Sequence, residues 1–352
     1  MNFYAGLDIS SAETAICITN VEGTIIKEGS VPTEPEAIDA FLGPYVSALK
    51  EIGMEAGNLS IWLYRKLMAS GLPVTCIDAR HANAIIGIQS VKTDKNDARV
   101  IANIMRTKPY RPVHVKSDAS QRIKILVNNR RCLVDQRVVI DNQIRGTLKI
   151  FGLKTGEVTP KQYEPRIREL IDGDGELEAA ILPMLKVRQV IQQEVAVLDK
   201  VLMQFAKTDP VCRRLMTIPS IGVLTAVLFR VVIDDPERFH RSKDVAAHIG
   251  MTPRKYASGD VDYNGRITKC GDAMLRNHLY EAASIILRPS TKRNPIKTWG
   301  LRIAKRSSLK NARVAVARKL AVVMHRIWMD ESEFDWGTAV VGSSEAEVSA
   351  AA

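Results

Sequence analysis

The chain of 352 residues is poor in several things, and each shortage removes a class of protein. Cysteine is scarce: Cys17, Cys76, Cys132, Cys212 and Cys270 are scattered, odd in number, and form no Cys-x-x-Cys pair. That excludes a disulfide framework and a cysteine zinc site, and predicts reduced thiols serving as small apolar fillers. No apolar run reaches the ~18 residues that a membrane span requires. Met1-Asn-Phe-Tyr-Ala-Gly-Leu-Asp8 lacks the basic flank and long apolar stretch of a secretory leader, so the cytoplasm, in association with the nucleoid, is the expected location. What is left, 46% hydrophobic and 25% charged, is the composition of an ordinary globular protein with room for two or three domains.

Acidic residues are scarce in one region only. Residues 1–110 carry 10 Lys+Arg against 12 Asp+Glu, whereas residues 251–326 carry 17 against 4, within a chain of net charge +11. A short basic run is usually a solvated face. This one is long and interleaved with Tyr256, Tyr263 and Trp299, the pattern expected of a surface that neutralises a phosphate backbone.

The acids that are present form a pattern of their own. Asp8 sits in the apolar strand Tyr4-Ala-Gly-Leu-Asp-Ile9, where an unpaired charge is costly unless something compensates it. Glu55 follows in Met54-Glu-Ala-Gly57, with Gly57 expected to permit close backbone approach. Asp94 and Asp97 stand three apart in Lys92-Thr-Asp-Lys-Asn-Asp-Ala98, on one face of a helix that Thr93 can cap. Acids in a first helical turn also stabilise the helix dipole with no further role, and for Asp94 and Asp97 alone that reading suffices. Asp8 has no such explanation. Four carboxylates fit divalent metal, and a pair of ions ~4 Å apart stabilises the oxygens of an in-line phosphoryl displacement.

The first 112 residues read as α/β. Strands are predicted at Phe3–Ile9, Ala15–Asn20 and Thr24–Val31, a helix over Pro35–Ile52, a short strand near Gly53–Ala56, a helix over Ser60–Ser70, a strand over Pro73–Ile77 and a helix over Asp94–Arg106. Three strands followed by alternating helices and strands is the order of the ribonuclease-H-like fold. Residues 113–208 change to long helical stripes, Ile123 to Leu148 and Leu177 to Phe205, separated by the glycine-rich stretch Gly152–Gly175. They predict an antiparallel coiled-coil hairpin, either an internal spacer or a dimerisation arm.

From residue 209 to 336 the chain is mainly helical again. Ile218-Pro-Ser-Ile-Gly222 reads as a helix-hairpin-helix-like turn, with Ser220 where glycine is more usual, or as a plain connection between helices. Asn264-Gly265 predicts a type I′ hairpin, and helices are expected over Asp272–Leu287 and Pro295–Met329. Residues 337–352 are small, polar and aperiodic, and are expected to be disordered. Ser258, in Tyr256-Ala-Ser-Gly-Asp260, is most simply a turn residue. It also stands among Arg254, Lys255, Arg266, Lys269 and Arg276, which could contact nucleic acid and stabilise charge on a phosphate under attack. His248 and His278 are expected to be structural or phosphate contacts.

Taken in order, Gly6-Leu-Asp-Ile-Ser10, Glu55-Ala-Gly57, Asp78-Ala-Arg-His-Ala82, Lys92-Thr-Asp-Lys-Asn-Asp-Ala-Arg99, Ile218-Pro-Ser-Ile-Gly222, Phe239, Ile249-Gly250, Pro253, Ser258-Gly259 and Gly271-Asp-Ala-Met-Leu-Arg276 resemble a DEDD-type insertion-sequence transposase. This is the family of bridge-RNA-guided serine recombinases with a Holliday-junction-resolvase-like amino domain, and the likeness runs from about residue 3 to residue 330. The resemblance implies that Asp8, Glu55, Asp94 and Asp97 bind Mg²⁺ and that Ser258, in a carboxy-terminal transposase domain, is the nucleophile joined to DNA. It further implies an element-encoded guide RNA, and dimers to tetramers assembled through the helical arm in which different protomers supply the two catalytic parts.

Three other readings compete. A junction resolvase would use the carboxylates alone. An actin-like ATPase or sugar kinase also begins with an Asp-bearing strand and hairpin, but the glycine-rich phosphate loops and adenosine-binding glycine pair that it needs are missing. A non-catalytic nucleic-acid-binding protein would need none of the acids.

Overall fold

Apolar alternation near the amino terminus is realised as β1 (Phe3–Ile9), β2 (Glu13–Thr19), β3 (Ile25–Pro32), β4 (Leu49–Glu55) and β5 (Val74–Ile77). The computed structural model describes residues 2–79, 82, 93–110, 112–259 and 261–336. Arg80, His81 and Lys92 of the motifs above, and the 337–352 tail, lie outside the described residues. The five strands form one sheet in the order β3-β2-β1-β4-β5, antiparallel from β1 to β3 and parallel from β1 through β4 to β5. This is the arrangement expected of a ribonuclease-H-like fold.

Period-two alternation gives the sheet two apolar faces. Leu7, Ile16, Ile18, Ile52 and Met54 pack with Ile38 and Leu42 of α1 (Pro35–Leu42) and with Leu63 and Leu67 of α2 (Ser60–Ala69). The opposite face receives α3 (Asp94–Thr107), through Ala98 and Ala102 on Ala15 and Cys17, and through Ile101, Ile104 and Met105 beside Tyr4. The helix predicted over Pro35–Ile52 stops at Leu42. Gly43-Pro44 opens a 3₁₀ turn over Gly43–Ala48, and Leu49 and Ile52 belong to β4. Tyr45 reaches the same core from that turn, against Phe3, which is why the spacing imitated a longer helix.

Met1–Val115 forms one compact unit, and a second begins at Lys116. The second unit opens with α4 (Asp118–Ile150, 33 residues) and α6 (Gly175–Thr208, 34 residues). Arg130 meets Asp199 and Arg188 meets Asp141, each at 2.5 Å, so the two helices run antiparallel. The stretch between them, predicted to be only a break, contains α5 (Tyr163–Ile171), whose Tyr163, Ile167 and Ile171 are buried with Ile144, Leu148 and Ile181.

Beyond the pair come α7 (Pro210–Leu215), α8 (Val223–Ile233), α9 (Ser242–His248), β6 (Pro253–Ser258), β7 (Val261–Ile267), α10 (Ala273–Ile286), α11 (Pro295–Arg306) and α12 (Leu309–Met329). α8 is buried from Thr225 to Phe229 and again from Val231 to Ile233, at the centre of the core that α10 and α12 complete. The single helix predicted over Pro295–Met329 divides at Ser307-Ser308, where Ser308 accepts the Asn311 amide at 3.1 Å and caps α12.

The hairpin lies elsewhere than predicted. β6 turns into β7 through Ser258, which pairs with Val261, while Asn264-Gly265 lies inside β7. Register shifts between Pro253 and Lys255, whose partners are Ile267 and Asn264, so the Asn-Gly pair marks a bulge rather than a turn. Tyr256 explains the glycine: a Cβ at Gly265 would sit 3.0 Å from its ring, which stacks on Tyr263 at 4.9 Å. The cysteines are free, but Cys132 is exposed and fills no core.

Candidate active site and nucleic-acid surface

Two glycines build the carboxylate end of the first unit. Gly6 of β1 and Gly53 of β4 are direct partners across the sheet. A Cβ on Gly6 would stand 2.2 Å from the Ala98 carbonyl oxygen and 2.3 Å from the Ala102 nitrogen. One on Gly53 would stand 2.6 Å from Met105 Cγ. The missing side chains form the groove in which α3 lies. Side chains two residues apart on a strand share a face, so Asp8 and Glu55 project to the same side as the groove, at the carboxyl ends of their strands.

α3 runs antiparallel to β1, because Met105 and Ile104 lie beside Tyr4 whereas Ala98 lies over Gly6. Its first turn, carrying Asp94 and Asp97, is therefore directed to the end of the sheet that holds Asp8 and Glu55. The Thr93 hydroxyl accepts the Asn96 amide at 3.2 Å and fixes where that turn begins. On β3, Glu28 anchors the same end of the helix to the sheet, receiving Arg99 Nε at 2.8 Å and Lys95 Nζ at 2.5 Å. Those two cations hold the Glu28 carboxyl down at about 2. Close approach beside Glu55 comes from Gly53 rather than Gly57, whose Cβ would meet only Ser60 Oγ at 3.4 Å.

The four acids differ in environment. Asp94 is exposed, and Asp8 and Glu55 are half-buried. Asp97 is 7% exposed, and its Oδ1 is buried without a hydrogen-bond partner among the described residues. Among the described residues, no three acidic, histidine or cysteine side chains converge closely enough to enclose a metal ion. The orphaned Asp97 oxygen is the kind of group that a cation satisfies. The donor set, hard oxygen only, fits a hard divalent cation.

In the second unit, Ser258 is exposed at the tip of the β6–β7 hairpin and is followed by Gly259 at φ +56°. Arg254, Lys255, Arg266 and Lys269 are all exposed along the same hairpin and its exit, with Lys255 3.2 Å from Asp262. The base of the hairpin is a close crossing of two loops. A Cβ at Gly250 would stand 2.2 Å from the Cys270 carbonyl oxygen, and one at Gly271 equally close to that of His248. Arg276 Nη1 binds this crossing from within, donating to the carbonyls of Ile249 and Gly271 at 3.1 Å and also to Cys270. Asp272 caps α10 and takes Lys124 Nζ at 2.6 Å, tying the crossing to α4.

Sequence reasoning missed Lys116, half-buried near Lys124 and pushed down to about 8 by desolvation and by Lys124's charge. It also left His248 open: the ring meets Phe239 edge to face at 5.3 Å and Arg238 at 3.1 Å. In the predicted helix-hairpin-helix turn, Ser220 has φ +67°, the left-handed conformation that accounts for glycine being more usual there. A repeated Gly-x-acid signal, Gly6-x-Asp8 and Gly53-x-Glu55, could have located the α3 groove.

The chain matches two family profiles, one described as a DEDD transposase of IS110 type over residues 5–152 and one as the transposase IS116/IS110/IS902 family over residues 212–296. It is 31% identical over 277 residues to the transposase for insertion sequence element IS1111A of Coxiella burnetii, covering 77% of this chain and 75% of that one. It is 27% identical over 242 residues to the transposase for insertion sequence element IS1328 of Yersinia enterocolitica, covering 67% and 70%. Among solved structures, that of RuvC from Thermus thermophilus aligns with 32% of this chain and 99% of its own, at 12% identity and a TM-score of 0.26.

Proposed function

The chain belongs to the IS116/IS110/IS902 transposase family, whose members cleave and rejoin DNA, and we propose that it moves its element through a covalent serine–DNA intermediate with Mg²⁺ held by Asp8, Glu55, Asp94 and Asp97. The observation that carries the metal reading is the buried Oδ1 of Asp97, which has no partner among the described residues and lies at the sheet end to which Asp8 and Glu55 point. A buried carboxylate oxygen without a donor is costly, and a cation removes that cost. When bound, Mg²⁺ would neutralise charge building on the phosphate.

Ser258 Oγ would attack a backbone phosphorus. One P–O bond forms to serine, one P–O bond to a sugar breaks, and the serine proton ends on the released sugar hydroxyl. The number of phosphoester bonds is unchanged, so a second hydroxyl can reverse the step and rejoin a new strand without an outside energy source. Arg254, Lys255, Arg266 and Lys269 would hold the flanking phosphates, with Arg276 supporting them through the loop crossing. Backbone contacts of this kind carry little sequence information, which favours delegating target choice to base pairing with an element-encoded guide RNA.

Self-association belongs to the helical arm in this reading. Val187, Val190, Val197 and Val201 are exposed in one stripe of α6, on the side opposite its buried Ile181, Leu185 and Leu202. Incubating the full chain with Mg²⁺, labelled element-end DNA and flanking noncoding RNA should give a protein–DNA adduct that survives denaturation. Ser258→Ala should abolish the adduct, and Asp97→Asn should reduce it at least ~10²-fold. An adduct that persists in Ser258→Ala would sink the nucleophile assignment. Cleavage that persists there without any adduct would instead favour a resolvase using water and the carboxylates alone.

A further inference from the structure

Midway along the α4–α6 pair is a recess of about 110 Å³, lined by residues from both helices and from the start of α5. Arg137, Asp141 and Arg145 are spaced four apart on α4 and therefore share one face. From α6, Arg188, only 4% exposed, gives Nε to Asp141 at 2.5 Å and Nη1 to Gln192 at 2.8 Å. Tyr163 lies between cations, with Arg188 4.4 Å and Arg145 5.3 Å from its ring centroid. Three guanidinium groups thus face one carboxylate, and Arg188 has already engaged it. The Nε atoms of Arg137 and Arg145 are both buried without a hydrogen-bond partner among the described residues.

A solvated arginine leaves its nitrogens in water, and a structural one pairs them with carbonyls or acids. Arg137 and Arg145 are half-buried and Arg145 also hydrogen-bonds Tyr163, but two neighbouring Nε atoms removed from water with no acceptor among the described residues match neither case fully. They need an acceptor that brings negative charge, and the recess has room for a group of a few heavy atoms. Guanidinium forks match the geometry of tetrahedral oxyanions. We propose that this recess is a phosphate-binding pocket, with Arg137 and Arg145 as its donors and Arg188, held by Asp141 and Gln192, as its fixed wall. The phosphate could belong to a nucleic-acid backbone laid along the arm or to a small free phosphate; the chemistry of the pocket is the same. The inference does not rest on the strand-cleavage reading, and it can fail while that reading stands.

The test begins with the unmodified full chain. Thermal unfolding in inorganic phosphate is compared with unfolding in chloride at matched ionic strength, and phosphate should raise the midpoint by a few degrees at about 100 times its dissociation constant. Arg145→Gln should remove that shift, whereas Arg131→Gln, an exposed arginine on the same helix paired with Asp135, should not. Fluorescence anisotropy with a labelled DNA duplex and a labelled RNA hairpin, over a salt series, then separates the two sources. For a backbone phosphate, Arg145→Gln weakens binding roughly three- to tenfold and lowers the salt slope by about 1. If the phosphate shift disappears with both affinities unchanged, the ligand is a small free phosphate. If wild type gains nothing from phosphate over chloride and Arg145→Gln binds both nucleic acids as Arg131→Gln does, the pocket assignment is wrong.

Discussion

Gly6 decides more about the carboxylate end than any of the acids. Its absent side chain leaves room for the Ala98 carbonyl oxygen and the Ala102 nitrogen, atoms of a helix backbone that cannot rotate away. Gly6→Ala should therefore lift α3 off the sheet, costing about 3 kcal/mol, the upper part of the usual range for overpacking. Urea denaturation would measure this, and DNA cleavage should fall by more than the folded fraction does, because Asp97 moves with the helix. Lys297 makes the opposite point. It was legible only as one more charge in the basic region, yet it is 8% exposed and its Nζ donates to the carbonyls of Arg288, Pro289 and Thr291 at 2.7, 3.2 and 2.5 Å. Lys297→Met should cost about 2–3 kcal/mol of stability by leaving those acceptors unsatisfied, with thermal or urea unfolding as the readout. Residue type and spacing brought Asp8, Asp94 and Asp97 to notice. Burial, which separates a structural lysine from a phosphate contact, is a property of the fold and is not written in composition.

At the scale of elements, β1, β2, β3, β5, α2 and α3 followed from periodicity, and the Thr93 cap followed from its chemistry. The errors arose where one local signal served two geometries. Asn264-Gly265 has the chain preference of a tight turn, but the stacked Tyr256–Tyr263 pair uses the glycine as space and the sheet continues through it. What no periodicity could give is the fastening of α3 to β3, since Glu28 and Arg99 are 71 residues apart. That fastening has a pH signature. The folded carboxyl is held at about 2, below the ~4.3 of an unperturbed glutamate, so its stabilisation is complete above the unfolded value. It is lost as pH falls from there through about 2. Glu28→Gln should accordingly be less stable than wild type at pH 6, and the difference should narrow steadily below pH ~4. Parallel urea titrations at pH 6, 4 and 3 would test it; a difference that does not change with pH would mean that the Glu28 pairs with Lys95 and Arg99 add nothing to the fold.

For the whole molecule, charge and apolar surface point to different partners. The basic excess of the carboxy-terminal region is partly internal, since Lys297 and Arg276 spend their charge on carbonyls of the same fold, and what remains exposed is shared between the Ser258 hairpin and the helices beyond it, where Arg302, Lys305, Arg306 and Lys310 are exposed. The α6 stripe is apolar apart from the exposed Glu194, which lies between Val190 and Val197 on the same face. Val187, Val190, Val197 and Val201 are each 44–51% exposed, which is a large apolar investment for a surface helix. Their spacings of three, seven and four residues keep them in line along one helix, as a seam between two helices requires. A seam on a single exposed helix is completed by its own copy with the least additional design, because two-fold symmetry makes one stripe serve both sides. Val190→Glu combined with Val197→Glu should bring four carboxylates into a dimeric seam. The full chain should then shift to monomer in light scattering at micromolar concentration while keeping its helical circular dichroism. Both substituted positions face away from the α4–α6 core, so loss of fold would not be the expected cause of loss of assembly. If the doubly substituted chain keeps the wild-type mass, the stripe is not the seam, and self-association, where it occurs, must use another surface.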